Sequence, residues 1–410
     1  MSSTDPGFED AIYRKVSWRL VPFLLLCYVV AYLDRVNVGF AKLQMLNDLK
    51  FSETVYGLGA GVFFIGYFLF EIPSNVILHK VGARVWIARI MITWGLISAA
   101  MMFVTTPTMF YVLRFLLGVA EAGFFPGIIL YLTYWYPAER RGRTTTWFMT
   151  AVALSGVIGG PLSGWIMGHF DQMQGLRGWQ WLFLLEAIPS VILGLLTFVA
   201  LPNSYKEAKW LSAEEKAQLA ADLRADDAET KGAKHSFKEG FFNLKVWMLG
   251  GIDFSILLTA YALGFWLPTF IRKTGVVDTF HIGLLTALPN IAAVFAILLI
   301  GASSDKYRER RWHIIVPFLA AAAAMCVSTF FAENLFATVL LFSIASIGVM
   351  GPLPVYFSLP ATFLKGTAAA TGFALAISLA SIAGLISNSL IGLVLDLTGS
   401  SAAAMWFFAF

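Results

Sequence analysis

The stretch Trp18-Arg-Leu-Val-Pro22-Phe-Leu-Leu-Leu-Cys27-Tyr-Val-Val-Ala-Tyr32-Leu-Asp34-Arg35-Val-Asn37-Val-Gly-Phe40 decides the class of this chain. It is apolar for long enough to cross about 30 Å of hydrocarbon as a helix, which takes roughly 20 residues. Yet it carries an aspartate and an arginine near its end. An ionisable group at membrane depth costs about 2.5–3.5 kcal/mol on insertion scales, so each one needs a reason. Composition excludes a soluble protein. Of 410 residues, 58% are hydrophobic and only 13% are charged, about half the charged share of a soluble domain. Mean hydropathy is +0.74, and lipid is the solvent that accommodates so much apolar surface.

Runs of this kind recur eleven times, at about 18–40, 55–78, 84–105, 108–132, 145–168, 180–201, 245–270, 281–301, 312–332, 334–357 and 367–391. A twelfth begins near Ala402, and the sequence stops at Phe410, too soon to cross, so the last span is expected to be truncated. Residues Met1 to Asp10 are polar and acidic and lack the basic start and cleavage site of a signal peptide, so the first run reads as a retained span. Lys and Arg set the orientation. Fourteen fall on one side: Arg14, Lys15, Arg19, Lys80, Arg84, Arg89, Arg140, Arg141, Arg143, Lys306, Arg308, Arg310, Arg311 and Lys365. Five fall on the other: Lys42, Lys50, Arg177, Arg272 and Lys273. That bias predicts a multi-pass protein of a bacterial inner membrane with its N-terminus in the cytoplasm.

The one long hydrophilic stretch, Pro202 to Phe237, separates six spans from what should be six more. The predicted organisation is a six-helix half over 1–201, a cytoplasmic linker over 202–240 and a second half over 241–410. Ser212-Ala-Glu-Glu215 reads as a capping box that opens a short surface helix in the linker. The loop His79-Lys-Val-Gly-Ala-Arg84 is echoed by Gly301-Ala-Ser-Ser-Asp305-Lys-Tyr-Arg308-Glu-Arg310 after the eighth span. Two such halves around a midplane site are a recurring transporter plan. Arg84, Asp305 and Arg308 are candidate gating residues, although positive-inside charge explains the cations as cheaply.

Five ionisable residues stand deep in predicted spans: Asp34, Arg35, Arg114, Glu121 and Asp253. At a rise of about 1.5 Å per residue, Glu121 and Asp253 come near the midplane and Arg114 near the outer end of its span. Arg114 and Glu121 are seven residues apart and share a helix face. Asp34 and Arg35 diverge by about 100°, so one can meet a helix partner while the other faces a cavity. Arg35 suits a substrate anion, because a guanidinium stays charged and grips a carboxylate with two parallel bonds. Asp34 and Glu121 are the candidate proton carriers, since burial favours a protonated acid and a nearby Arg opposes it. Ion pairs that merely hold helices together would account for the same four residues. Asp253 is open between a proton site, a hydroxyl-binding group and a water-facing residue. Glu71 and Glu186 lie within spans but near their ends and read as helix-packing or interface residues.

Four motifs carry a resemblance. Tyr32-Leu-Asp34-Arg35-Val-Asn37 in span one resembles the anion:cation symporter family of the major facilitator superfamily. So do Gly66-Tyr67-Phe-Leu-Phe-Glu71-Ile-Pro73-Ser-Asn75 in span two, Arg114-Phe-Leu-Leu-Gly118-Val-Ala-Glu121-Ala-Gly123-Phe-Phe-Pro126-Gly127 in span four, and Tyr261-Ala-Leu-Gly-Phe-Trp266-Leu-Pro268 in span seven. The resemblance implies an all-α membrane protein of the major facilitator fold, two six-helix halves around a central cavity. It also implies uptake of a small organic acid with protons. By that resemblance Arg35 meets the substrate carboxylate, Asp34 and Glu121 carry protons, Arg114 couples them, and Tyr32 and Tyr67 line the cavity. The chain departs from the family in carrying Asp253 where sugar-acid carriers align a Gln, and Ile377 and Ser381 where they align Asn. An acid at 253 would repel a second carboxylate, which favours a monocarboxylate substrate; Asp253 and Ser381 join the candidate binding set.

The competing reading is a proton-coupled exporter. Gly156-Val-Ile-Gly-Gly160-Pro161-Leu-Ser-Gly164 resembles the Gly-Pro motif of drug/proton antiporters, but small residues also permit close helix packing. A sensor without transport would need an output domain that the linker does not provide. An enzyme is not expected: no nucleophile–base pair or phosphate loop is present. The five histidines, His235 among them, have no metal spacing, and Cys27 and Cys326 fall in apolar runs. The expected partners are an organic anion, protons and lipid, with no nucleic acid, no metal and no cofactor beyond the coupling proton, and the expected state is a monomer.

Overall fold

The computed structural model describes residues 6–231, 244–359 and 366–406. Lys365, His235 and Phe410, named above, lie outside the described residues, as do the last part of the linker and the side chains of Arg143 and Ile377. The described chain is helical, with no strand among its residues. Before the linker come α1 (Pro6–Val36), α2 (Val38–Leu49), α3 (Glu53–Val81), α4 (Ala83–Ala100), α5 (Pro107–Glu121), α6 (Phe124–Thr133), α7 (Ala138–His169) and α8 (Gly178–Ala200). The linker holds α9 (Ala213–Lys231). After it come α10 (Leu244–Lys273), α11 (Thr279–Tyr307), α12 (Trp312–Ser328), α13 (Leu335–Met350), α14 (Leu353–Ser358), α15 (Gly366–Thr398) and α16 (Ser401–Trp406). These elements supply eleven segments long and apolar enough to cross a membrane, matching the eleven runs read from sequence.

The spans are not all continuous. Span four breaks between α5 and α6, where Gly123 takes φ 83°. A side chain is strained in that region, and a Cβ there would also run into Ser74. Span ten breaks at Gly351-Pro352 between α13 and α14. The first span interrupts at Asn37 and then runs on through α2 to Leu49. That corrects the placement of Lys42 in an outer loop: it is buried inside the bundle, with its ammonium 3.8 Å from the Trp266 ring centre and 2.5 Å from Glu53 Oε2. Hydropathy alone misses this, because the cation is held by aromatic faces and one carboxylate.

Helices from either side of the linker meet along two seams, α7 on α11 and α3 on α15. The glycines of the Gly156–Gly164 motif make the first seam possible: a Cβ at Gly160 would strike the Gly283 carbonyl, and one at Gly164 the Thr279 carbonyl. Close backbone approach through small residues is how membrane helices pack tightly. The bundle end away from the linker is closed across the seams. Tyr56 Oη donates to the Phe265 carbonyl at 3.0 Å, Lys42 Nζ to Thr269 Oγ1 at 3.0 Å, and Thr279 Oγ1 to the Gly164 carbonyl at 3.0 Å. Asp396 accepts from the first amides of α3, Glu53 N at 3.1 Å and Thr54 N at 2.7 Å, a favourable place for a carboxylate. Arg272 reaches the Leu43 carbonyl.

At the linker end, the predicted capping box is present: Ser212 N donates to Glu215 Oε2 at 2.7 Å, and Glu215 N to Ser212 Oγ at 3.1 Å. Slight burial works against the Glu215 charge, but the Lys15 ammonium and the Ser212 amide hold its carboxyl below the ordinary range. Tyr13 Oη donates to Asp222 Oδ2 at 2.8 Å, and Arg141 pairs with Asp226 at 3.2 Å, so α9 lies against α1 and α7.

The α7–α11 seam has no room for a branched side chain. Gly283→Val is expected to destabilise the chain by about 1–3 kcal/mol, the usual cost of overpacking, read as a lower melting temperature of the purified protein in detergent. An unchanged melting temperature would mean the seam is looser than described.

Candidate substrate site

Arg35 ends α1 and Glu121 ends α5. A cation at a helix C-terminus is favoured and an anion there is not, so the two ends complement each other. Arg35 Nε donates to Glu121 Oε1 at 3.0 Å, and Nη2 reaches the same oxygen. Both residues are almost wholly buried, at 6% and 2% exposure. The guanidinium also lies against the rings of Tyr32 at 5.1 Å, Phe63 at 5.4 Å and Tyr67 at 5.4 Å, where it is attracted to the aromatic faces.

A cavity of about 100 Å³ opens beside Arg35. Tyr28, Tyr32, Phe63, Phe64 and Tyr67 line it from one side, and Asp253, Tyr261 and Ser381 from the other. All five residues of the predicted binding set therefore meet one cavity: Arg35, Tyr32, Tyr67, Asp253 and Ser381. Asp253 is buried at the cavity wall, 2% exposed. An acid facing an arginine cavity leaves little tolerance for a second anion nearby.

The coupling set is split. Glu121 is on Arg35. Asp34 points the other way, into the contact of α1 with α4 and α8, where it accepts from Trp94 Nε1 at 2.9 Å, Ser98 Oγ at 3.1 Å and Ser190 Oγ. The 100° divergence of neighbouring residues thus gives the cavity to Arg35 and the helix contact to Asp34. Arg114 shares the face of Glu121 but forms no ion pair with it. Its Nε points to the Gly59 carbonyl at 3.4 Å, both terminal nitrogens lack a hydrogen bond, and the residue is fully buried. The rings of Phe63 and Phe265 stand 5.1 and 5.8 Å from it.

The predicted gating residues are not brought together. Arg84 faces the linker, with its amide on Asn203 Oδ1 at 3.1 Å and its guanidinium 4.0 Å from Glu207. Arg308 is the left-handed cap of α11 at φ 51°, and both it and Asp305 are exposed. Glu71 and Glu186 lie within their spans, as expected, and are buried, each with one carboxylate oxygen lacking a hydrogen bond. The aromatic ring around the site, Phe63, Phe64 and Tyr261 in particular, was missed. The one signal was the four-residue spacing of Phe63 and Tyr67 on one helix face.

Residues 24–410 match the profile of the Major Facilitator Superfamily. A Pseudomonas putida protein named NicT, for metabolite transport, is 71% identical over 408 residues, covering 100% of this chain and 93% of its own length. An Agrobacterium vitis protein named for tartrate transport is 47% identical over 401 residues, covering 98% and 92%. A quinolone resistance transporter of Acinetobacter baumannii is 40% identical over 401 residues, with the same coverage of 98% and 92%. Among solved structures, the xylose transporter XylE from E. coli, partially occluded and inward open, superposes with a TM-score of 0.72 at 14% identity, over 96% of this chain and 94% of that one. The family and these relatives are transporters rather than enzymes. With its eleven apolar helices, its broken spans and a charged cavity at their centre, this chain is a multi-pass membrane transporter that belongs to the Major Facilitator Superfamily.

Proposed function

We propose that this transporter takes up a small organic anion, a monocarboxylate, together with protons across a bacterial inner membrane, with its N-terminus in the cytoplasm. The observation that carries the reading is the Arg35 guanidinium, buried on a cavity and held there by a single acid. A substrate carboxylate can replace Glu121 as its partner with two parallel bonds. Glu121, displaced, then stays buried at least cost by taking a proton. Arg114, with its terminal nitrogens unbonded, offers Glu121 another partner when the helices rearrange. The aromatic ring favours a flat or apolar body on the acid, and Asp253 disfavours a second carboxylate. The names of the relatives, metabolite and tartrate transport, agree with an organic acid cargo. Lys and Arg bias supports the orientation. One chain builds the whole cavity, so a monomer suffices.

In this reading Asp34 is a second proton carrier working through the α1–α4–α8 contact. A latch among Arg84, Asp305 and Arg308 would belong to another conformation of the cycle. Export is the second reading, favoured by the quinolone resistance relative. Right-side-out vesicles that accumulate substrate under a proton gradient indicate uptake; accumulation only in inside-out vesicles indicates export.

Arg35→Lys keeps the charge but loses the fork, so affinity for the carboxylate should fall at least roughly tenfold. Binding-induced thermal shifts over a panel of organic acids read this, and a panel in which no acid shifts the parent protein would overturn the proposal. Glu121→Gln and Asp34→Asn should each preserve exchange of substrate across the membrane while stopping uphill uptake driven by a pH gradient. Normal accumulation in both variants would remove these acids from the coupling.

A further inference from the structure

A second chamber of about 60 Å³ adjoins the first, with Tyr32 on the wall between them. Its walls are largely small and aliphatic where the Arg35 cavity is aromatic, and they include Asn37, Ser163, Thr286 and Asn290. Asn37 is 1% exposed, and neither its amide oxygen nor its amide nitrogen makes a hydrogen bond. Leaving both ends of a buried amide unbonded is costly, and the chamber beside Asn37 gives a hydrogen-bonding guest a place against it. A chamber of this size holds a water or two.

Behind Ser163 stands Glu186, on the middle of α8. Ser163 Oγ donates to Glu186 Oε1 at 2.6 Å, while Oε2 is buried and unbonded. Asn37 stands beside the same carboxylate without reaching hydrogen-bond geometry. The neighbours of Glu186 supply no cation among the described residues. From α1 comes Asp34, an acid; from α7, Ser163; from the α1–α2 junction, Asn37; from α4, Trp94 and Ser98, both bonded to Asp34. Ser190, one turn along α8, bonds Asp34 as well. An ionised carboxylate needs a partner or water to stay at this depth.

We infer that Glu186 is a proton-binding site of this transporter, served by water in the Asn37 chamber. The step is simple: a proton entering from solvent is relayed through chamber water, each water taking one proton as it passes one on, to Glu186 Oε2; the side chain passes from one negative charge to none, and the proton leaves by the same relay. The Gly160–Gly283 contact and Thr286 wall the chamber where α7 meets α11. This seam joins helices from either side of the linker, so the site is sealed while the far end is closed and opens when the seam parts. Glu121 is then reached from one chamber through Arg35, and Glu186 from the other through Ser163 and Asn37. Asp34 stands close by on the same helix contact, bonded to Ser190 one turn along α8 from Glu186.

Infrared difference spectroscopy of the full chain in lipid bilayers tests this without any substrate, so its outcome is independent of the organic-anion reading. Titrated from about pH 5 to about pH 9, the parent protein should lose a carboxylic acid C=O band that is absent from Glu186→Gln and retained in Glu121→Gln. Asn37→Leu and Ser163→Ala keep the acid but remove its polar neighbours, and each should shift the midpoint of that band. The same titrating bands in Glu186→Gln as in the parent would overturn the inference, as would a Glu186 band that does not titrate over this range. Should Glu186→Gln fail to fold, Ser163→Ala decides: an unmoved titration in that variant counts against the site.

Discussion

A buried guanidinium cannot be left alone, and the centre of this protein is arranged around that fact. Arg35 is held by Glu121 and by three aromatic rings. Removing one member of such a pair typically costs about 3–5 kcal/mol, because the other is stranded in a medium that solvates it poorly. The pair is therefore stable only while each has the other, or while a substrate stands in for one of them. A site with this property responds to an anion by redistributing charge, which is what a coupled transporter requires.

The helix breaks serve the same centre. Two of the three interrupted spans stop at a cavity wall, α1 just after Arg35 and α13 at Met350, and α5 ends on Glu121, the partner of Arg35. Irregular backbone at membrane depth is tolerated where it is covered by protein or lines a cavity. Gly123, with its positive φ, lets the chain turn immediately after the acid. The closed far end complements this arrangement. Backbone carbonyls of Phe265, Gly164 and Leu43 accept from the opposite half, so closure draws on groups that helix ends and close seams leave available.

Buried acids fall into two environments with opposite logic. Glu121 faces a cation, Arg35, which lines an aromatic cavity. Asp34 faces three neutral donors, and Glu186 one, with the Asn37 chamber beyond it. Charge on the first is balanced locally, and charge on the others is only solvated by dipoles. Arg114 is the counterpart among cations, fully buried with both terminal nitrogens unbonded. Such unequal surroundings make it costly to hold all groups charged in one conformation and cheaper to exchange protons between conformations.

Sequence alone determined the number of spans, the hydrophilic linker with its capping box, and the short set of charges that had to matter. It could do so because the cost of exposing backbone or charge to hydrocarbon is large and nearly independent of neighbours. It also placed Arg35, Tyr32, Tyr67, Asp253 and Ser381 at one cavity, helped by motif resemblance. What it could not decide was pairing. Whether Asp34 turned to Arg35 or to Trp94, whether Arg114 met Glu121, and whether Lys42 lay in a loop or under Trp266 all depend on helix rotation and on breaks such as Gly123. Those are fixed by contacts between residues tens to hundreds of positions apart, Lys42 with Thr269 or Ser163 with Glu186, and only the packed bundle brings them together.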